Sequence, residues 1–238
     1  MANTARALGV AAVIFVSFVV WTLGGWFQGG SHAAVNHVLL LALLLPALVL
    51  MVLAAGTARG RPRAGWIFLA TGLAGWGGAL SVWTYHELTR GAASSPSLAD
   101  AAYQLLPISG SVALVLFAGE RNDRSRVRVL LDGLIVGGSL LIVSWVTIIG
   151  PIYEAGAGSR LELLVALAYP ICDVVLLTVA AMVLVRAFSD RRLALMFLAT
   201  GMASIALADS ASVFLSRQNE YASSHAIEIG WVAGLLLI

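Results

Sequence analysis

The acidic and histidine side chains are the groups in this sequence able to do chemistry, and most of them fall inside or beside long apolar stretches. Asp173 stands in the middle of one stretch and Asp209 in the second half of another. Glu228 lies near the start of the last, and Glu87 and Asp100 mark the ends of two more. An ionised side chain at the centre of a bilayer costs about 2.5–3.5 kcal/mol on insertion scales, so such residues are functional candidates by default. His86 directly precedes Glu87. His225 stands three residues before Glu228, a spacing that puts both on one face of a helix. With Tyr103, these residues make one candidate ligand-binding set around an outer cavity: His86, Glu87, Asp100, Tyr103, Asp173, Asp209, His225 and Glu228. Imidazole and carboxylate also suit Zn, Cu, Ni or Mn. That makes His86, His225 and Glu228 candidate metal ligands and a divalent metal a candidate cofactor. Against a metal stand the scattered histidines and the lack of HxxxH, CxxC or a Met-rich cluster. A metal-free polar cavity and plain interfacial hydrogen bonding stay open beside it.

The elements that must position these groups are membrane helices. Hydrophobic residues make up 60% of the chain and charged residues 11%, where soluble domains carry ~25% charged residues. Eight apolar stretches cover about 7–27, 37–55, 65–85, 99–118, 129–152, 161–187, 193–215 and 222–238. A hydrocarbon core of about 30 Å needs ~20 apolar residues of helix, and the runs are continuous rather than alternating as in a β-barrel. The expected fold is all-α: a polytopic membrane helix bundle of about eight transmembrane helices, forming a single integral membrane domain over 1–238. The first stretch exceeds the h-region of a signal peptide and reads as a retained span. Pro46, Pro107 and Pro170 fall within spans, and Pro107 and Pro170 are candidate hinges. The motif Gly133-Leu134-Ile135-Val136-Gly137 is a close-contact face, suited to packing within the chain or to a homodimer.

The charge pattern orients the bundle. All 14 basic residues are arginine. Eleven of them (Arg6, 59, 61, 63, 121, 124, 126, 128, 186, 191 and 192) fall on one side of the expected spans, and Arg90, Arg160 and Arg217 on the other. The positive-inside rule then places both termini in the cytoplasm of a multi-pass protein of the plasma membrane. The lack of lysine excludes a retinal Schiff base and any amine nucleophile. A lone Cys172 excludes an intrachain disulfide, and a net charge of +2 gives no footprint for nucleic acid. No GxGxxG, P-loop or HExxH occurs, so catalysis in this chain is not expected, although a polar cavity leaves an intramembrane enzyme open.

A repeat is legible as well. Phe68-Leu69-Ala70-Thr71-Gly72 recurs as Phe197-Leu198-Ala199-Thr200-Gly201. Asp100 and Tyr103 align with Glu228 and Trp231, and Pro46 with Pro170. Two parallel four-helix repeats are expected, about 5–120 and 127–238, like one class of transporter duplication. Trp231 and Tyr103 then face a cavity between the halves. The apolar ending Gly234-Leu235-Leu236-Leu237-Ile238, without an anchoring residue, suggests that a longer parent continues into the cytoplasm.

Four ordered segments carry a resemblance: Ser97-Leu98-Ala99-Asp100 with Tyr103 and Pro107, Leu131-Asp132-Gly133-Leu134-Ile135-Val136, Tyr169-Pro170 with Asp173, and Ala208-Asp209. Together they resemble the multi-span N-terminal module of actinobacterial GGDEF/EAL cyclic-di-GMP signalling proteins. The resemblance implies a sensory input module that relays an extracytoplasmic or membrane signal to a cytoplasmic output domain. The parent's diguanylate cyclase or phosphodiesterase activity has no counterpart here, because no GGDEF or EAL segment is present. The alternative reading is a transporter or channel for a small solute or metal, built on the 4+4 repeat.

Overall fold

The computed structural model describes residues 2–24, 30–90, 97–119, 126–186, 192–217 and 226–238, apart from the side chains of some residues at helix ends. Among them the helices are α1 (Ala2–Leu23), α2 (Gly30–Thr57), α3 (Arg61–Arg90), α4 (Leu98–Tyr103), α5 (Leu105–Ala118), α6 (Arg126–Ser144), α7 (Gly150–Ala155), α8 (Arg160–Arg186), α9 (Arg192–Arg217) and α10 (Glu228–Leu237). One π turn, Trp145–Ile149, joins α6 to α7. No strand occurs among the described residues. The all-α expectation therefore holds, and its cause is plain: in hydrocarbon only internally bonded backbone is tolerated.

Six segments are long and apolar enough to cross a bilayer: Val35–Thr57, Arg61–Thr89, Leu98–Ala118, Val127–Ala155, Arg160–Arg186 and Arg192–Ser216. The apolar helices Gly9–Leu23 and Glu228–Leu237 are shorter. The first and last expected spans extend into 25–29 and 222–225, outside the described residues. Within the described residues Glu228 is the first residue of α10. An acid is stabilised at that place by the helix dipole.

The expected fourth span divides into α4 and α5 at Gln104, three residues before Pro107. The fifth is continuous through its π turn, which sits just ahead of Pro151. A proline ring collides with the carbonyl four residues earlier, and a π turn is one way to absorb it. Pro46 and Pro170, by contrast, lie inside unbroken helices. Gly119 and Gly156 end α5 and α7 with φ of 74° and 68°, a left-handed conformation that favours glycine.

Packing runs in two groups. α3 lies against α2, α4 and α5; α9 lies against α8 and α10, with α6 on the far side of α8. Contacts of α5 with α8 and α9, and of α10 with α1 and α2, join the groups. The shared core contains Leu40, Leu69, Leu73, Leu106, Leu114, Leu176, Met202 and Val232. Gly133 and Gly137 face Met182 and Thr178 of α8, so the Gly-xxx-Gly face of α6 is used within the chain.

The two Phe-Leu-Ala-Thr-Gly segments end in glycines that serve close approach. A Cβ on Gly72 would stand 3.0 Å from Leu106 Cα in α5. One on Gly201 would stand 2.9 Å from the Gly234 carbonyl oxygen in α10, and one on Gly234 would stand 2.8 Å from that of Gly201. Gly78, in the same helix as Gly72, has nothing within 4 Å of such a Cβ. Gly201→Ala or Gly234→Ala should therefore destabilise the bundle by about 1–3 kcal/mol, because backbone cannot give way as a side chain can. Gly78→Ala should be neutral or mildly stabilising, from its better helix propensity. Thermal unfolding in one detergent compares the three, and equal midpoints would refute the crossing.

Candidate functional site

A cavity of about 410 Å³ opens between both groups of helices. Its walls lie at the end of the bundle reached by the start of α2, the end of α3, the starts of α4, α8 and α10, and the end of α9. The wall is built from helical stripes. α3 contributes Trp76, Leu80 and Trp83; α8 contributes Glu162, Val165, Ala166 and Tyr169; α9 contributes Asp209, Ser212, Val213 and Ser216. Spacings of three, four and seven residues keep each set on one helix face. His37 of α2, Asp100 and Tyr103 of α4, and Trp231 of α10 complete it.

The two buried acids in this wall are each oriented by an aromatic residue on a neighbouring helix. Tyr169 Oη donates to Asp100 Oδ1 at 3.0 Å. Trp231 Nε1 donates to Asp209 Oδ1 at 2.7 Å. Asp100 is held from its own helix too: the Ser97 backbone N–H donates to Asp100 Oδ2 at 2.6 Å, and Ser97 Oγ accepts from the Ala99 N–H at 3.2 Å. This capping box fixes the carboxylate before any ligand arrives. Trp76 stands between two other rings, edge-to-face with Tyr103 at 6.0 Å and with Trp231 at 6.2 Å between centroids.

A second polar group lies where α1, α2, α3 and α10 meet. Trp21 Nε1 donates to Asn36 Oδ1 at 2.8 Å, and Asn36 Nδ2 donates to Glu228 Oε2 at 2.5 Å. The two bonds fix the orientation of the Asn36 amide and tie three helices together. Next along α2, His37 Nδ1 stands 3.5 Å from Glu87 Oε2. That contact is electrostatic only, since neither atom makes a hydrogen bond. Glu228, Asn36 and His37 are almost wholly buried.

Of the eight candidate ligand residues, Asp100, Tyr103 and Asp209 line the cavity. Asp173 lies behind the wall, where its Oδ2 accepts from Ser210 Oγ at 2.6 Å. Glu87 and Glu228 belong to the second group. His86 lies against Tyr85, edge-to-face at 5.8 Å, rather than in the cavity wall. His225 lies outside the described residues. Among the described residues no three His, Cys, Asp or Glu side chains are placed to hold a metal ion together. Pro170 follows Tyr169 in the wall, and Pro107 sits in the first turn of α5.

Sequence reasoning missed Asn36, Tyr169, Glu162 and Trp76, and it started the second span at 37. His37 is instead two turns inside α2, because the helix begins at Gly30. The adjacent Asn36-His37 pair, polar within an otherwise apolar run, was the available signal.

No protein-family model, curated protein or solved structure matches the chain. The site is therefore interpreted from its own chemistry.

Asn36→Leu should destabilise the fold by about 1–3 kcal/mol, since it leaves a buried carboxylate without its donor. Glu228→Gln should cost less, because the amide oxygen still accepts from Asn36. Adding Glu228→Gln to Asn36→Leu should recover part of the loss. Thermal melting of the three variants reads this, and additive effects would show that the two residues do not interact.

Proposed function

We propose that this chain is a membrane-embedded ligand-binding module whose role is sensory. A small molecule enters the cavity from outside the cell, and its binding shifts helices against one another to inform a cytoplasmic output domain or partner. The observation that carries this reading is a cavity of about 410 Å³, walled by helices of both groups, at one end of the bundle. That volume lies within the usual range for small-molecule sites.

The arginine pattern supports an outward-facing cavity. Arg61 and Arg63 open α3, Arg126 and Arg128 open α6, Arg186 ends α8 and Arg192 opens α9, all at the end of the bundle opposite the cavity. The cytoplasmic placement of both termini follows from the same rule. The duplication is supported by Gly72 and Gly201, which let α3 approach α5 and α9 approach α10 in parallel fashion. Coupling to a cyclic-di-GMP output rests on the sequence resemblance alone.

A transporter is the second reading, favoured by one observation. A cavity of about 300 Å³, lined by residues that include Val115, Val179, Met182 and Arg186, lies near the other end of α8. Tyr169 and Val179 bound the two cavities along that helix, about 15 Å apart at 1.5 Å per residue. Between their levels Leu176 and Met202, which meet at Gly110, are all but fully buried. Such an apolar layer supports binding without passage in this conformation.

A thermal-shift screen of the purified chain against chemically varied small molecules tests the proposal. A true ligand present at a hundredfold excess over its Kd should raise the melting midpoint by about 5–10 °C. The rise should be lost in Asp209→Asn. Absence of any stabilising compound, or full retention of the rise in Asp209→Asn, would overturn the site. Uptake of a stabilising compound into proteoliposomes would replace the sensory role with transport.

A further inference from the structure

The geometry points to an organic cation, a quaternary ammonium or a protonated amine with apolar substituents, as the ligand class of this cavity. The inference rests on the cavity being a ligand site, as proposed above.

Three kinds of observation converge on it. The first is charge. Asp100, Asp209 and Glu162 line the cavity, while no arginine does among the described residues. Among the described residues His37 is the one basic side chain in the wall. Asp209 is buried and its donor, the Trp231 indole, is neutral, so a cation in the cavity gains from its charge. The wall thus disfavours an anion and favours a cation over a neutral guest of the same shape.

The second is the aromatic lining. Trp76, Trp83, Tyr103, Tyr169 and Trp231 all line the cavity. Aromatic faces attract cations through the ring quadrupole, indole most strongly, and the effect grows when water is excluded. Cages of this composition recognise quaternary ammonium groups. Two of the rings are polarised in the helpful direction. Trp231 donates its N–H to Asp209 and Tyr169 its O–H to Asp100. Donation to an acid raises electron density on the donor ring and aims the acid's charge at the same space.

The third is size. At about 30 Å³ per water, a cavity of 410 Å³ holds roughly a dozen water molecules. A bare metal ion would leave most of that space unfilled. No three of the described His, Cys, Asp or Glu side chains converge to hold one. An alkylated ammonium fills the volume and carries its charge without needing directional donors. Val165, Ala166, Leu80 and Val213 give its substituents apolar contact.

The decisive comparison is between choline and its neutral isostere 3,3-dimethylbutanol, which differ by charge at nearly constant shape. Both are titrated into the full chain in lipid nanodiscs, followed by tryptophan fluorescence and checked by calorimetry. Choline should bind at least about tenfold more tightly than the isostere. Asp209→Asn keeps an oxygen to accept from Trp231 but removes the charge, and should reduce the ratio several-fold. Trp83→Leu removes one ring and should reduce it as well. The ratio is read within each variant, so a partly unfolded preparation does not imitate the effect. Equal binding of the two probes would overturn the cation while leaving a ligand site intact. Binding of neither, with larger tetraalkylammonium ions also silent, would overturn the cation outright. The chemically varied screen above would then judge the site independently. An unchanged ratio in both variants would place the discriminating site elsewhere.

Discussion

A bilayer interior supplies no water, so every polar side chain buried there must find its partner inside the protein. Much of this structure follows from that constraint. Asp100 is answered from α8, Asp173 from α9, Asp209 from α10 and Glu228 from α2. Every one of these bonds crosses from one helix to another. The acids therefore act as registration marks that fix how far each helix slides along its neighbour. Their energetic share is modest, since interhelical hydrogen bonds in membranes average about 0.6 kcal/mol. Close contact at glycine supplies more of the cohesion, as where α9 and α10 meet backbone to backbone at Gly201 and Gly234.

Packing and site are linked through single helices. On α3, Gly72 brings the backbone against α5, and Trp76 follows one turn later among the rings of Tyr103 and Trp231. On α9, Met202 sits in the dry core, Asp209 faces the cavity and Ser210 turns to Asp173. Adjacent residues on one helix thus serve the cavity and the interior in turn. A guest that moved α9 or α10 at the cavity would be felt in that interior contact.

Much of the fold was legible in the sequence because span length is a direct record of bilayer thickness. The long apolar runs fall on α2, α3, α8 and α9 with small shifts. The break at Gln104 and the π turn before Gly150 were not legible, since both depend on how a proline's lost hydrogen bond is absorbed by its surroundings. In the site, Asp100 and Asp209 stood out because acids are rare in apolar helices. Of their partners, Trp231 was expected in the cavity wall, but its bond to Asp209 was not, and Tyr169 is an ordinary residue of a membrane helix until its distance to Asp100 is known. The second span was started at 37 because a glycine-rich stretch followed by Ser31-His32 looks like a loop, yet α2 begins at Gly30. The stripes on α8 and α9 were present as spacings, but a polar stripe names no function without the opposing wall.

The helix through α6, the π turn and α7 stands apart from this economy. The segment Val127–Ala155 has 29 residues, and its most apolar stretch contains no buried residue. At 1.5 Å per residue it measures about 43 Å, well beyond a hydrocarbon core of about 30 Å. Such excess length is relieved by tilting, by bending or by stretching the local lipid. Gly133 and Gly137 hold it to α8 near one end, while Val143, Trp145 and Val146 face outward at the π turn. Arg61–Thr89 is as long but half buried in its apolar stretch, so membrane thickness acts most directly on this lipid-facing rod as a lateral load, and α8, which carries Tyr169 and Glu162 into the cavity wall, is the helix that receives it.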